Sequence, residues 1–183
     1  MQTLEKPKFT YPASELKSLL NGHSYVNLSD NVLVFWDQQR SECDIAVIDN
    51  KRFVYTKAEY NALPEGASYQ LIKGNIIYMP SPSVLHQDIV IKLIILLRTY
   101  AESNGLGAAF CAPLDVEFDE QNIFQPDVFF IPKQTDELLK NEEVIRDTPS
   151  FVTEVLSKNK SYDLGEKMEV YGKFGVKEYW VID

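Results

Sequence analysis

The spacing of apolar and polar residues changes several times along the chain, and each change predicts a new element. Between Phe110 and Phe118 every second residue is apolar, which predicts a single strand with one buried face. Elsewhere, short apolar runs bounded by polar turns indicate strands, and Lys73-Gly74-Asn75 between two such runs indicates a hairpin. The predicted strands cover residues 69–72, 76–79, 110–118, 123–131, 151–156 and 176–182.

Helical spacing dominates other regions of the chain. Ser83 is the predicted start of a long helix and Gly105 its end. The apolar stripe of this helix consists of Leu85, Ile89, Leu93 and Leu96. Thr56, followed by Glu59 three residues later, has the pattern of a capping box at the start of a short helix. Further helices are predicted at residues 135–143 and 162–174.

The N-terminal region has weaker patterns than the rest of the chain. A short helix is predicted at 12–20 and short strands at 32–36 and 44–48. We therefore divide the chain into an N-terminal extension, residues 1–52, that packs on a main domain, residues 53–183. In the main domain a hairpin, a long helix, a strand pair and a strand–helix–strand unit follow one another. This order predicts an α/β fold with a mixed β-sheet flanked by helices.

Composition limits the class of protein. With 183 residues, 45% of them hydrophobic and 25% charged, the chain is long enough for one globular domain with its own core. The longest apolar run, residues 89–97, is interrupted by Lys92 and is too short to cross a membrane. No secretion signal opens the sequence, and Cys43 and Cys111 give no disulfide framework. We therefore expect a cytoplasmic protein without a membrane partner.

Two carboxylates in apolar strands are the candidate chemistry. Asp127 follows Pro126 within one apolar run, and Glu154 lies within the next. A carboxylate in such a strand is costly to bury without a cation, and magnesium prefers oxygen ligands. Because Pro126 cannot donate to a central ladder, we expect Asp127 at a bulge or bend near a sheet edge. The formal net charge of −9 argues against a nucleic-acid partner, although a carboxylate site is acidic until its metal binds.

Lys167 is the predicted cation beside these carboxylates. One stripe of the predicted helix 162–174 consists of Leu164, Lys167, Tyr171 and Phe174. The lysine is therefore expected to face the core. If the metal site serves phosphodiester hydrolysis, the lysine could orient the water that attacks the phosphate or stabilise charge on the phosphate. The acids and the lysine could instead form a purely structural ion-pair cluster, and spacing alone does not choose. Asp163 is interpreted as the N-cap of the helix and His86 as a surface or capping histidine.

Seven segments of the chain, taken in order, carry a resemblance to a known family. They are residues 69–74 (YQLIKG), 83–87 (SVLHQ), 112–116 (APLDV), 125–128 (QPDV), 153–157 (TEVLS), 162–167 (YDLGEK) and 175–180 (GVKEYW). From residue 53 to residue 183 the chain resembles the Uma-two family of restriction-endonuclease-like proteins, within the PD-(D/E)xK nuclease superfamily. The N-terminal extension is not covered by this resemblance.

The resemblance implies a restriction-endonuclease-like fold and magnesium-dependent hydrolysis of nucleic-acid phosphodiesters, with DNA as the substrate and manganese as a possible substitute. It assigns the metal to Asp127 and Glu154. Leu156 stands where the superfamily lysine follows the second acid, so the resemblance assigns the lysine's role to Lys167 on the next helix. Nucleases of this kind act on two strands as symmetric pairs, so a homodimer is expected.

Gln70 departs from the family pattern, which has a glutamate at this position. Glutamine still offers a carbonyl oxygen and could support the metal's outer shell, but it carries no charge. Lys73 likewise stands where an acidic residue is usual. These departures keep an alternative open, in which the chain is a catalytically silent nuclease-fold module that binds nucleic acid or a protein partner. A third reading is an activity that needs a second protein.

Overall fold

The computed structural model describes residues 25–29, 32–37, 42–47, 54–64, 66–132, 144–156 and 160–183. The chain forms two compact units, residues 1–80 and residues 81–183. The helices predicted at 12–20 and 135–143 lie outside the described residues. None of the helices in the described ranges combines the length and the hydrophobicity that a membrane crossing requires.

The first unit contains an antiparallel three-stranded sheet, a short helix and a hairpin. The sheet has the order β1 (Tyr25–Ser29), β2 (Val32–Asp37), β3 (Glu42–Val47), and the second and third of these strands were predicted. Helix α1 (Lys57–Tyr60) starts at the predicted capping box, in which the Thr56 N–H donates to the Glu59 carboxylate at 2.8 Å. Local side-chain chemistry therefore fixes where this helix begins.

The predicted hairpin of the first unit is present, but its second strand begins and ends one residue earlier than predicted. It joins β4 (Tyr69–Ile72) to β5 (Asn75–Tyr78) through Lys73 and Gly74, which have φ angles of 48° and 77°. Two successive positive φ angles match the right-handed twist of the strands, and glycine adopts such an angle without strain. A Cβ at Gly74 would in addition collide with the side chain of Val54.

The second unit is built on a mixed sheet that one long helix covers. Helix α2 (Val84–Ser103) packs on three of the four strands of this sheet, β6 (Gly107–Cys111), β9 (Val128–Pro132) and β10 (Phe151–Val155). The sheet has the order β11 (Glu178–Ile182), β10 (Phe151–Val155), β9 (Val128–Pro132), β6 (Gly107–Cys111). Strands β10 and β11 are parallel, whereas β9 runs antiparallel to both of its neighbours. A separate hairpin joins β7 (Val116–Asp119) to β8 (Asn122–Phe124).

Two predicted strands are each interrupted at a proline. The strand predicted at 110–118 is divided into β6 and β7 around Pro113, and the strand predicted at 123–131 is divided into β8 and β9 around Pro126. A proline nitrogen has no hydrogen to donate to a neighbouring strand, so the ladder stops there. The bend expected at Asp127 is present, but its expected position near a sheet edge is wrong because β9 lies between β10 and β6.

The predicted stripe of helix α2 is half right, because Ile89 and Leu93 pack against the core whereas Leu85 and Leu96 do not. Leu85 and Leu96 are both 68% exposed, whereas Val90 and Ala101 are buried. Partly buried side chains beside Val90 complete the packed face, namely Ile89, Leu93, Ile94 and Leu97. The helix is apolar on several sides, so its periodicity did not show which side meets the sheet.

Candidate active site

The two candidate carboxylates meet at the ends of neighbouring strands. Thr153 of β10 pairs with Val128 of β9, and this antiparallel register brings Glu154 next to Asp127. The Asp127 N–H lies 3.4 Å from Glu154 Oε2, and the Val155 N–H donates to Asp127 Oδ2 at 2.7 Å. Glu154 is only 2% exposed, while the Asp127 side chain keeps 17% of its surface. The pair therefore has one buried and one partly open carboxylate.

Lys167 neutralises the buried end of this site. Its Nζ lies 3.0 Å from Glu154 Oε1 and 3.1 Å from Asp163 Oδ1, and its side chain is 1% exposed. The structure thus places the lysine in the core, as the helical stripe predicted. It also adds a third acid, Asp163, which the sequence pattern had assigned to a cap.

A π-helical turn explains why Asp163 faces inward. Residues Tyr162–Glu166 form this turn ahead of helix α3 (Lys167–Lys173), and the Lys167 N–H donates to the Tyr162 carbonyl. The wider turn shifts the phase of the residues before it by about one position relative to an α-helix. As a result Asp163 is buried and Leu164 is 50% exposed, so the predicted cap and the predicted inward leucine are both wrong.

Two tyrosines enclose the ionic cluster. The Tyr171 hydroxyl donates to Glu154 Oε1 at 2.7 Å, and the Tyr179 hydroxyl donates to the Asp163 carbonyl at 2.8 Å. The Tyr171 ring packs against the rings of Phe118, Phe124 and Tyr179. Tyr171 follows Lys167 by four residues, and this spacing was the sequence signal that could have given it a place beside Glu154.

Burial governs the protonation of the carboxylates. Desolvation raises the pKa of Glu154 to about 7, although the charge of Lys167 and the Tyr171 hydroxyl act in the opposite direction. Desolvation also raises the pKa of Asp127, against the Val155 N–H and the charges of His86 and Lys167. A carboxylic acid whose pKa lies near neutrality loses its proton readily when a metal cation binds to the carboxylate oxygens.

Lys167 remains a cation at neutral pH. Burial alone would lower its pKa, but the adjacent Glu154 and Asp163 carboxylates outweigh that effect and raise the pKa to about 12. Burial and the neighbouring Glu154 charge raise the pKa of Tyr171 as well, so its hydroxyl stays a hydrogen-bond donor. The site therefore combines a lysine that stays positively charged at neutral pH with two carboxylates, Glu154 and Asp127, whose pKa values are raised.

His86 approaches Asp127 from helix α2. Its Nε2 lies 3.1 Å from Asp127 Oδ2, so it is not the surface residue that the sequence suggested. The N-cap role belongs to Ser83, whose side chain accepts the His86 N–H at 3.2 Å. His86 Nδ1 is buried without a hydrogen-bond partner among the described residues. A histidine one turn after a helix cap, on the side that meets the sheet, carried no distinctive signal in sequence.

Gln70 lies on β4 in the first unit. Its side chain is buried, and its Oε1 accepts no hydrogen bond from any residue in the described ranges. An amide oxygen buried in this way is costly unless something else binds it, so the atom is available to a ligand or a water. The uncharged side chain cannot contribute a negative charge to any such ligand.

The donor set of the second unit suits magnesium. Asp127 Oδ1 has no protein hydrogen-bond donor within the described ranges, and Glu154 Oε2 has only the long contact from the Asp127 N–H. Magnesium is typically bound by one or two carboxylates, with water and substrate phosphate completing its shell. No cluster of three or more His, Cys, Asp or Glu side chains suited to a metal occurs in the described part of the chain. Asp127 and Glu154 could therefore supply the two carboxylates of such a site.

Comparisons with known proteins show the fold and the family of this chain. The structure matches the crystal structure of a protein described as "a putative nuclease belonging to DUF820" from Anabaena variabilis, with a TM-score of 0.62 and 22% identity. The match covers 70% of this chain and 73% of the other, and it confirms the predicted α/β nuclease-like fold. A search of curated proteins found no match. The sequence model of the Uma2 family, described as "putative restriction endonuclease", matches residues 57–183, so the chain belongs to that family.

Proposed function

We propose that this protein is a metal-dependent endonuclease that hydrolyses phosphodiester bonds of DNA. The supporting observation is that two carboxylates of the second unit lie side by side and that one of them is bound by a buried lysine. Asp127 and Glu154 touch through the Asp127 N–H, and Lys167 contacts Glu154 at 3.0 Å. Membership of a restriction-endonuclease-like family supports the same reaction class.

Asp127 and Glu154 would hold magnesium, or manganese in its place, through oxygens that the protein leaves open. A divalent ion at such a site supplies charge stabilisation to the phosphoryl group and lowers the pKa of a bound water. Asp127 is the more exposed of the two acids, so it offers the side from which a phosphate can approach. Glu154 is held by Lys167 and Tyr171, which fixes the orientation of its second oxygen.

Lys167 would serve the attacking water. Its ammonium group has three donors, of which two contact Glu154 and Asp163. The remaining donor can orient a water or stabilise developing negative charge beside the carboxylates. Because its pKa lies near 12, Lys167 acts as a cation and donor and not as a base at neutral pH. We further propose that the protein works in the cytoplasm, since its cysteines give no disulfide framework, and as a homodimer.

One observation favours a second candidate function, a silent nuclease-fold module that binds nucleic acid or a protein. Gln70 is uncharged at a position where the resemblance expects a glutamate, and its Oε1 has no partner among the described residues. The net charge of −9 also favours a protein partner over nucleic acid. A neutral amide oxygen binds a divalent cation more weakly than a carboxylate does, so a glutamine in place of the expected glutamate favours loss of activity.

Calorimetric titration of manganese, with plasmid nicking on the same samples, separates the two functions. For an active enzyme we expect wild type to bind metal and nick DNA, and Asp127→Ala to do neither. Glu120→Ala, which removes an exposed carboxylate on a turn, is the matched control and should behave as wild type. If only Gln70→Glu binds manganese and cuts, the protein is a silenced nuclease. If neither protein binds manganese, the metal site assigned to Asp127 and Glu154 is wrong.

A further inference from the structure

Helix α2 presents a second apolar face on the side that points away from the sheet. Val84 is 89% exposed, Ile91 52% and Ile95 59%. The full set of large exposed apolar side chains on this helix is Val84, Leu85, Ile91, Ile95, Leu96 and Tyr100. Single exposed apolar residues are ordinary, but a cluster along one helix marks an interaction surface. We refer to these six residues as the outer face of α2.

A regular row of positions runs along the exposed side of the helix and includes three residues of the outer face. Positions 84, 88, 91, 95, 98 and 102 follow one another at intervals of four and three residues, which is the seam spacing of a coiled coil. Asp88 precedes the two central isoleucines of this row, and Arg98 follows them. Both charged side chains are about half exposed or more, so both are available to another molecule. The two isoleucines of this row therefore lie between an acid, Asp88, and a base, Arg98, and Val84 and Glu102 form the two ends of the row.

We propose that the outer face of α2 binds the same face of a second copy of this chain, with the two helices antiparallel. A twofold axis that crosses the helix at the level of position 93 places Asp88 opposite Arg98 of the partner subunit. The same axis places Ile91 opposite Ile95 of the partner subunit. Such a contact is isologous, so each charge pair and each apolar pair occurs twice.

The four charges of α2 disfavour two competing arrangements. A parallel pair in register would put Asp88 beside its own copy and Arg98 beside its own copy. An antiparallel pair moved by one helical turn in one direction would bring Asp88 opposite Glu102 and Lys92 opposite Arg98, which are like charges. Opposed like charges disfavour wrong registers, while the apolar centre supplies the contact area.

The proposed contact leaves the internal pairs of the helix intact. Lys92 contacts Asp88 at 2.6 Å, and Arg98 contacts Glu102 at 2.8 Å, both with spacing i, i+4. Asp88 and Arg98 thus each already have an opposite charge beside them on the same helix, so neither enters the contact as an unpaired charge. The assignment gives a surface to the homodimer proposed above. The masses that test it are independent of nuclease activity, so failure of either proposal can be recognised separately.

Charge reversals and their mixture test the arrangement. We expect the wild-type chain to sediment with twice the chain mass of 21.0 kDa. Asp88→Arg alone and Arg98→Asp alone should each halve that mass, because each variant opposes like charges twice. An equimolar mixture of the two variants should return to the dimer mass, because every opposed pair then has opposite signs. This recovery also shows that both variants are folded.

Two control variants test whether the loss of the dimer is specific to Asp88 and Arg98, the charges of the proposed seam. Lys92→Ala breaks the same internal pair as Asp88→Arg but keeps the seam charge, so it should stay dimeric. Lys177→Glu reverses an exposed charge away from α2 and should also stay dimeric. The proposal is overturned by a monomeric wild type across a dilution series. It is equally overturned by reversals that leave the dimer intact, or by a mixture that fails to recover it.

Discussion

Two lysines of the second unit make ion pairs of similar length in opposite surroundings. Lys167 contacts Glu154 at 3.0 Å with a side chain that is 1% exposed. Lys92 contacts Asp88 at 2.6 Å with a side chain that is 70% exposed. Both pairs satisfy the same geometric definition of a salt bridge. The distance alone therefore says little about what either pair does for the protein.

Solvent is the difference between them. At the surface, water competes for both charges and the pair contributes little to stability. In the core, removing two or three charges from water costs several kcal/mol, and an apolar group of the same shape is often at least as stable. Desolvation at Glu154 is strong enough to raise its pKa to about 7 with Lys167 in contact. A cluster with such a cost, next to the partly open carboxylate of Asp127, is what the proposed catalytic role would require.

The largest expected effect is on replacement of the buried lysine. Lys167→Met keeps the length of the side chain but leaves Glu154 and Asp163 buried without their cation. We expect the free energy of unfolding to fall by about 3–5 kcal/mol, measured by urea denaturation at one protein concentration. A loss below roughly 1 kcal/mol would mean that solvent reaches the cluster, and the contrast with Lys92 would fail.

The pH dependence of Glu154 gives the next effect. Its pKa is raised from 4.5 to about 7 in the folded protein, so the folded state holds a proton that the unfolded state has already lost between those values. Stability from this group is fully present below pH 4.5 and is lost as the pH rises through 7. Relative to Glu154→Gln, the wild type should lose up to about 3 kcal/mol across this window.

Comparison with Glu154→Gln isolates that carboxylate, because Asp127 titrates in both proteins. Thermal or urea unfolding in the presence of a chelator provides the measurement. A difference that grows in the opposite direction, with the wild type gaining stability as the pH rises, would show that Lys167 outweighs desolvation. The Glu154 pKa would then lie below its ordinary value.

The smallest effect is expected at the surface pair. Lys92→Met removes the contact with Asp88 and should change the free energy of unfolding by only about 0.2–1 kcal/mol. Adding salt should reduce even this difference, because exposed charges are screened. A loss comparable with that of Lys167→Met, in the same urea experiment, would remove the distinction between the two lysines.

Much of the site was accessible from sequence because it depends on local rules. An acid within an apolar strand is conspicuous, which identified Asp127 and Glu154. Helical spacing placed Lys167 toward the core. The capping box at Thr56 and the turn at Lys73-Gly74 were likewise fixed by residues a few positions apart. The roles of these site residues in catalysis remain predictions that the titration and nicking experiments address.

Other parts of the site depended on long-range packing. The π-helical turn that places Asp163 inward, beside Lys167, had no signature that the sequence pattern revealed. His86 reaches Asp127 only because α2 crosses the sheet at that strand end. The misplacement of Leu85 and Leu96 in the predicted stripe of α2 has the same origin, since the periodicity of a helix that is apolar on two sides does not show which side meets the sheet.

The sequence by itself determined the elements that short-range chemistry controls, and with them the acids and the lysine from which a metal site can be built. Only the tertiary structure decided which of these residues touch, that Asp163, Tyr171 and His86 join them, and which face of α2 stays outside. The physical reason is the range of the forces involved. Caps, turns and periodicity act over a few residues, whereas burial and charge contacts exist only after distant strands and helices have packed.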